Sequence, residues 1–554
     1  MSDRMTPIPF ESLLDWVFGE LSAEGSIFGV KRFYRAPAGA GVSYMGRRPE
    51  TAIGPAAGPH TQLAQNIAAA YLCGARIFEL KTVQIICGEA LVVSKPCILA
   101  EDEGYNCEWS TELTVRQARD EYIKAWFLLH VLAAELELGR ADGFVFNMSV
   151  GYDLPGIQSQ TIDEFLNHMM DASATEEFQH CRQVLEARLP GFKRFDATAL
   201  AAVSPNICQS VSVSTMHGCP AAQTEDIALY LMEQKGLDLL LKCNPTLVGY
   251  DAAREALDGL GYGYIHFKRE SFENDLQYTD AVPMLRRLQA RAGALGRYFG
   301  VKLTNTLPVQ SEGALPDETM YLSGSALLPL SLRVAQMLVR DFGGALPISY
   351  CGGANVKNIS MLRRAGFFPI TVCTELLKPG GYGKLNAMAA ALEGAESLGF
   401  GLVFEALSRV SGAVSAVARE ARSIRRADLS EAPRTGEGCR TVCGVCASVC
   451  PNRANVVISV NGEKRMLHID GMCNECGNCA SFCAEGAAPY RDRLTVFPDA
   501  AALNASRNDG FAPLPGGGFL LRQGGVCREL RPGADDIPPV LTTVRDKYPW
   551  LLYH

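Results

Sequence analysis

The 554-residue chain has no run of 18 uninterrupted apolar residues, because glycine, serine or a charge breaks each long apolar segment. A membrane-spanning helix is therefore not expected. The start, MSDRMTPIPFESLLDW, lacks the basic stretch and apolar run of a secretory leader. Positive charge is not in excess either. The formal net charge of −8 argues against nucleic acid or an anionic membrane surface as a partner. A G-x-G-x-x-G fingerprint after a strand is also missing, so no dinucleotide-binding unit is expected in these residues. Together these absences predict a cytoplasmic protein, a compartment in which disulfides are disfavoured.

Cysteine, by contrast, is plentiful, at 19 residues. Eleven are scattered and read as small buried hydrophobes. Eight lie between 439 and 483, in the patterns Cys439-x3-Cys443-x2-Cys446-x3-Cys450-Pro451 and Cys473-x2-Cys476-x2-Cys479-x3-Cys483. Bacterial two-cluster ferredoxins carry C-x2-C-x2-C-x3-C-P, in which the fourth cysteine serves the other cluster. The short spacing wraps backbone around one cubane, and the fourth thiolate points away to its neighbour. Two [4Fe–4S] clusters are expected. One is held by Cys439, Cys443, Cys446 and Cys483, the other by Cys473, Cys476, Cys479 and Cys450. Two departures stand out: the first spacing is one residue longer than usual, x3 rather than x2, and Ala484 replaces the proline after Cys483. Structural zinc in two four-cysteine sites is the alternative.

Residues 1–50 form a lead-in whose FESLLDWVFGEL reads as an amphipathic helix, with Phe10, Leu13, Leu14, Val17 and Phe18 on one side. From residue 51 eight short apolar runs alternate with helical patterns: 51–59, 75–83, 143–152, 209–220, 237–246, 298–306, 347–355 and 368–376. Near-continuous apolar runs suit strands buried on both faces, and eight strand–helix units predict a (β/α)8 barrel, a TIM barrel of α/β class, within 51–425. A doubly wound sheet could give a similar string. Polar insertions are expected at 95–114 and 154–208. A long helix follows at 402–425, then a polar linker at 427–438. A ferredoxin-like domain is expected over 426–490, and a C-terminal tail over 491–554.

A chain carrying one-electron clusters usually joins them to a two-electron site, a conversion flavin performs well. Barrels bind ligands at the C-terminal ends of their strands. Those ends carry Lys81 and Thr82, Asn305 and Thr306, Gly352 and Gly353, and Cys373 and Thr374. Glycine lets backbone approach a phosphate closely. Lys242 lies inside an apolar strand, which is costly unless its ammonium meets an anion or acceptor.

The segments AIGPAAGP, FELKT, LKCNPT, LTNT, CGGAN and CTELL resemble the FMN barrel of dihydroorotate and dihydropyrimidine dehydrogenases. The eight-cysteine module is similar to that of dihydropyrimidine dehydrogenase. STMHGCP, KPCILAEDEGYNCEWSTELT and LLLKCNPTLVGY resemble the N-terminal half of the YgfK family, which is associated with selenate reduction. The resemblance implies FMN with Ala57 and Gly58 against the ring, and Lys81 and Thr82 on the ring or ribityl chain. Lys242 would lie near N1 and O2, and Asn305 and Thr306 would face the substrate. Gly352, Gly353, Cys373 and Thr374 would hold the phosphate. Asn147 in FNMSV is a candidate pocket residue from the third strand. The dehydrogenases carry N-L-S-C-P on the fourth strand, with cysteine as proton carrier. Here VSVSTMHGCP offers Cys219 or His217 instead.

The expected activity is an FMN- and iron–sulfur-dependent oxidoreductase acting on a C=C or C=N bond of a nitrogen heterocycle, a pyrimidine or an oxidised purine such as urate. Larger members of the YgfK family continue into a flavin and NAD(P)H domain, so a separate NAD(P)H- and FAD-containing subunit is the expected electron donor. The rival reading is an electron-transfer subunit serving a catalytic partner, a selenate reductase among them. Cluster and zinc readings separate at once on colour. Anaerobically purified protein should absorb in the brown and yellow range and carry about eight irons per chain, measured by visible spectroscopy and iron analysis. A colourless protein holding zinc would overturn the cluster assignment.

Overall fold

The computed structural model describes residues 4–101, 103–108, 110–215, 217–395, 402–403, 405–409, 439, 441–534 and 536–553. The helix expected after the barrel and the linker at 427–438 fall almost wholly outside these residues. Among them, no helix is long and apolar enough to cross a membrane.

All eight apolar runs contain strands of one parallel sheet. They are β1 (Ile53–Pro55), β2 (Ile77–Glu79), β3 (Val145–Gly151), β4 (Ser210–Ser214), β5 (Asp238–Cys243), β6 (Phe299–Leu303), β7 (Ile348–Tyr350) and β8 (Ile370–Val372). Their order is β1-β8-β7-β6-β5-β4-β3-β2, a nearly closed barrel. At the seam between β1 and β2, Arg76 N–H donates to the Ile53 carbonyl at 3.0 Å. Backbone meets backbone there: a Cβ on Gly54 would lie 1.5 Å from the Ile77 carbonyl oxygen, so only glycine fits. β1, β2, β3, β7 and β8 are buried along their whole length, as continuous apolar runs require.

Two insertions build a lid over the C-terminal ends of the strands. Ile98–Ala100 and Glu103–Asn106 come from the expected insertion at 95–114. Leu307–Gln310 and Thr319–Gly324 follow β6. The four pair as an antiparallel sheet in which Glu103–Asn106 and Thr319–Gly324 lie side by side. The expected helix after 114 spans Val115–Glu135, and Thr114 caps it in a reciprocal bond with Gln117.

The last hundred residues make a second unit rather than a loose tail. Six strands from Asn455 to Leu530 form one mixed sheet, into which the 494–530 segment adds four. The lead-in helix α1 (Phe10–Glu24) buries Phe10, Leu13, Leu14, Trp16 and Val17. It is held by both units. Lys124 Nζ donates to the Ile8 carbonyl, Arg453 Nε donates to the Phe28 carbonyl, and Tyr548 OH donates to Glu24 Oε1. Its Glu20 carboxylate ties down the following turn by accepting from Trp16 Nε1, Ser26 Oγ and the amides of Phe28 and Gly29. Because the Gly54 contact is backbone to backbone, Gly54→Ala should destabilise the chain by about 3 kcal/mol, the upper range for an overpacked core. The denaturation midpoint in urea measures this, and an unchanged midpoint would show that the seam can open.

Candidate functional site

The strand ends and the lid enclose a cavity of about 490 Å³. Of the residues singled out from sequence, Ala57, Gly58, Lys81, Thr82, His217, Lys242, Asn305, Thr306, Gly352, Gly353, Cys373 and Thr374 all line it. Cys219 and Asn147 do not. Cys219 is 6% exposed, and its sulfur packs against Thr224 Oγ1 and Gln223 Oε1, each at 3.4 Å. The helix that begins at Ala221 turns it inward, and burial raises its thiol pKa. Asn147 lies fully buried within the barrel, where its Nδ2 donates to Ser212 Oγ at 2.7 Å.

One side of the cavity is cationic. Lys81, Lys242 and Lys302 all line it. Lys81 pairs with Glu108 at 2.8 Å, and Lys302 pairs with Glu79 and donates to Thr371 Oγ1. Glu79 also accepts from the Ala57 amide at 3.4 Å. Among the described residues Lys242 forms no ion pair with a carboxylate; its Nζ donates to Ser149 Oγ at 3.5 Å. Desolvation in the barrel lowers its pKa, Lys302 and Lys81 add to the depression, and Glu79 opposes it. Lys378 also lines the cavity and lies 3.7 Å from Glu375, so of the four lysines Lys242 alone forms no ion pair among the described residues, which leaves room for one negative charge on a ligand.

The opposite wall is built for close approach. A Cβ on Gly352 would lie 2.0 Å from Ser331 Oγ, one on Gly58 2.7 Å from Cys373 Sγ, and one on Gly104 2.6 Å from Thr374 Cγ2. Gly353, at φ +75, occupies the left-handed region that favours glycine. Gly324 and Ser325 lead into the helix Leu328–Phe342 at the cavity edge, a helix start being favourable for phosphate. This donor set fits a flat ligand with an anionic ring edge and a phosphate.

The third side is uncharged apart from His217. It carries Ser214, Asn305, Thr306, Asn106 and Tyr321. His217 is half-buried, and its Nδ1 lies 3.2 Å from Asp275 Oδ2. Sequence reasoning missed Asp275, which sits in a polar loop with no pattern around it. It also missed Lys302 and Glu79, although a charge inside an apolar strand is the signal that found Lys242.

A second, small cavity is ringed by Cys450, Cys473, Cys476 and Cys479, four cysteines grouped by their spacing. Backbone N–H groups point at sulfur: Ala454 to Cys450 at 3.3 Å and Glu475 to Cys473 at 3.2 Å. Such bonds suit thiolates that hold a cluster. Among the described residues no three His, Cys, Asp or Glu side chains gather as a single metal ion requires. The other four cysteines are more open. Cys443 is exposed, Cys439 and Cys483 are half-buried, and Cys446 is buried. Val442 N–H donates to Cys439 Sγ at 3.2 Å.

Two hydrogen bonds link the linings' neighbourhoods. Ile98 N–H donates to the Cys476 carbonyl at 2.8 Å, and Asn478 Nδ2 donates to the Leu377 carbonyl at 2.9 Å. Ile98 and Leu377 both line the large cavity.

A family model described as "Oxidoreductase YgfK, N-terminal TIM-barrel domain" matches residues 28–424. The YgfK protein of Escherichia coli K12 is 48% identical over 427 residues, covering 74% of this chain and 41% of that protein. YgfK of Escherichia coli O157:H7 matches to the same extent. The chain thus spans about two fifths of the length of these relatives.

The lysines respond in opposite directions to substitution. Glu79→Gln strands a buried Lys302 and should cost about 3–5 kcal/mol. Lys242→Met removes a half-buried ammonium that no carboxylate pairs among the described residues and should stabilise the ligand-free chain by up to about 1 kcal/mol. Chemical denaturation of ligand-free protein gives both signs; a destabilising Lys242→Met would mean that Lys242 is already satisfied.

Proposed function

This chain belongs to the YgfK family of TIM-barrel oxidoreductases, and from that premise we propose that it is an FMN- and iron–sulfur-dependent reductase of a nitrogen heterocycle. The observation that carries the reading is the short link between the two cavities: Ile98 and Leu377 line the cationic one, Ile98 N–H donates to the carbonyl of Cys476 in the other, and the Leu377 carbonyl accepts from Asn478, next to Cys479. In this reading the large cavity holds FMN. Lys242 faces the ring edge that gains negative charge, Ala57 and Gly58 lie along the ring, and Gly352, Gly353 and Thr374 cradle the phosphate. The cluster of Cys450, Cys473, Cys476 and Cys479 is the inner one. The cluster of Cys439, Cys443, Cys446 and Cys483 is the outer one, open to a donor subunit. Bound FMN supplies hydride chemistry at a centre that the clusters fill one electron at a time.

The chain's own side chains do the rest. Glu108 and Glu79 hold Lys81 and Lys302 in place, so that Lys242 is the ammonium available to an anion. The lid sheet covers the strand ends and excludes water, which strengthens each of these interactions. His217 stands on the uncharged side as the proton donor. Asn305 and Thr306 orient the substrate. That side carries no lysine or arginine, which favours a neutral ring over an oxyanion such as selenate.

Titration of the cofactor-free chain with FMN should quench flavin fluorescence, and Lys242→Met should weaken binding about tenfold or more. Cys476→Ala should abolish flavin reduction by an external one-electron donor, while direct photoreduction of the bound flavin stays intact. Reduction at the wild-type rate in Cys476→Ala would overturn the inner-cluster route. Failure to bind FMN would overturn the cofactor assignment.

A further inference from the structure

The uncharged side of the cavity is ordered by one buried carboxylate. Asp275 lies between the helices Glu270–Glu273 and Tyr278–Leu295, and its side chain is 2% exposed. Its Oδ1 accepts from the amides of Gly218 at 3.1 Å and Leu276 at 3.0 Å. Its Oδ2 meets Asn244 Nδ2 at 2.8 Å, Thr246 Oγ1 at 2.7 Å and His217 Nδ1 at 3.2 Å. Burial alone would raise the carboxyl pKa, but the bonds from His217 and Thr246 outweigh it and hold it at about 2. Asp275 is therefore an acceptor only.

An acceptor-only group fixes the orientation of every amide and imidazole that touches it. Asn244 must turn its NH2 toward Asp275, which leaves its Oδ1 to accept from Asn305 Nδ2 at 2.8 Å. With its NH2 so engaged, Asn305 turns Oδ1 toward the Ser214 hydroxyl, at 3.3 Å, and the cavity. His217 must place its Nδ1 proton on Asp275, so Nε2 is the atom left for the cavity. The imidazole lies within 15° of parallel to the Tyr321 ring of the lid, with centroids 6.3 Å apart.

We propose that Asp275 is a positioning residue that, by facing Nδ1–H of the His217 imidazolium, sets Nε2–H as a donor and fixes an acceptor at Asn305 Oδ1, and that this pair selects a cyclic amide or urea whose ring N–H lies beside the reducible C=C or C=N bond. The inference rests on the flavin reading above. In the step it serves, the Nε2–H bond of the His217 imidazolium breaks, a C–H or N–H bond forms on the ring, and neutral imidazole remains with its Nδ1 proton on Asp275. The hydride and its two electrons come from reduced flavin, and the imidazole regains its proton from water.

The test uses the full chain, purified anaerobically and labelled with [15N]histidine. Eight histidines keep the spectrum assignable, and His217→Asn identifies the signal. Wild type should show a protonated Nδ1 at His217; Asp275→Asn should lose that state and Asp275→Glu should keep it. A His217 signal unchanged in Asp275→Asn overturns the positioning role. Reoxidation of the reduced chain is then followed with uracil, xanthine and urate, and with 1,3-dimethyluracil as the probe lacking ring N–H groups. For a ring that reoxidises wild type, Asp275→Asn should slow turnover by about 100-fold or more, with little change in half-saturating concentration. Reoxidation by dioxygen should be unaffected. A dimethylated ring as fast as its parent overturns the N–H selection, and so does a wild-type chain that binds FMN but is reoxidised by none of the N–H rings. Absence of FMN binding instead removes the proposed function, while the histidine signal still decides the role of Asp275.

Discussion

A buried ammonium without a carboxylate is the constraint around which the barrel mouth is organised. Three of the four lysines that line it are paired inside the protein, Lys302 with Glu79, Lys81 with Glu108 and Lys378 with Glu375. Lys242 is left with a hydroxyl at 3.5 Å. Moving such a group out of water costs several kcal/mol unless an opposite charge arrives. Under the proposed function, that opposite charge is the ligand's. The paired lysines sharpen this arrangement, because their own charges are answered and they oppose Lys242 without competing for the anion. The lid matters for the same reason: with water excluded, the interaction between Lys242 and an anionic ring edge is far stronger than at a surface.

A second constraint is the joint between the barrel and the cysteine unit, and it is made of amides. Asn452 Oδ1 accepts from Gln62 Nε2 at 3.1 Å and Asn66 Nδ2 at 3.0 Å, while its Nδ2 donates to Asn474 Oδ1 at 3.2 Å. Asn474 Nδ2 passes on to Glu112 Oε1 at 2.7 Å, and Glu112 is paired with Lys95. An apolar interface of the same area could slide. A chain of oriented amides holds one register, since each group must find its partner. Under the proposed function, that register keeps the inner cluster against Ile98 and Leu377.

The eight strands were readable because a parallel strand buried on both faces must be apolar almost throughout, and runs such as LDLLLKC leave little else to choose. Polar residues at the ends of such runs, among them Lys81, Asn305 and Thr374, were readable for the same reason: the core excludes them, so they collect at the mouth. The lid strand Thr319–Gly324 was not readable, because its apolar face is covered only after the chain returns to pair with Glu103–Asn106. The C-terminal strands share that difficulty, as their partners lie across the cysteine segment. Asp275 was invisible because its role comes from five donors brought from separate loops and strands. Cys219 was misplaced for a local reason: the helix starting at Ala221 rotates its sulfur toward Thr224.

The two groups of cysteines differ in burial, and the difference has a direction. Cys450, Cys473, Cys476 and Cys479 are each buried, and burial raises all four thiol pKa values. Under the proposed function, filling the inner site would couple iron binding to deprotonation of these thiols and to the final packing of the unit. The outer group keeps Cys443 in solvent and Cys439 and Cys483 half-buried. Under the proposed function, a donor protein can therefore reach the outer cluster at the surface. The inner one stays shielded by the polar joint on one side and the lid on the other. In that reading electrons would pass inward beside Ile98 and Leu377 to the cavity that Lys242 lines, where an unpaired ammonium meets the negative charge they bring.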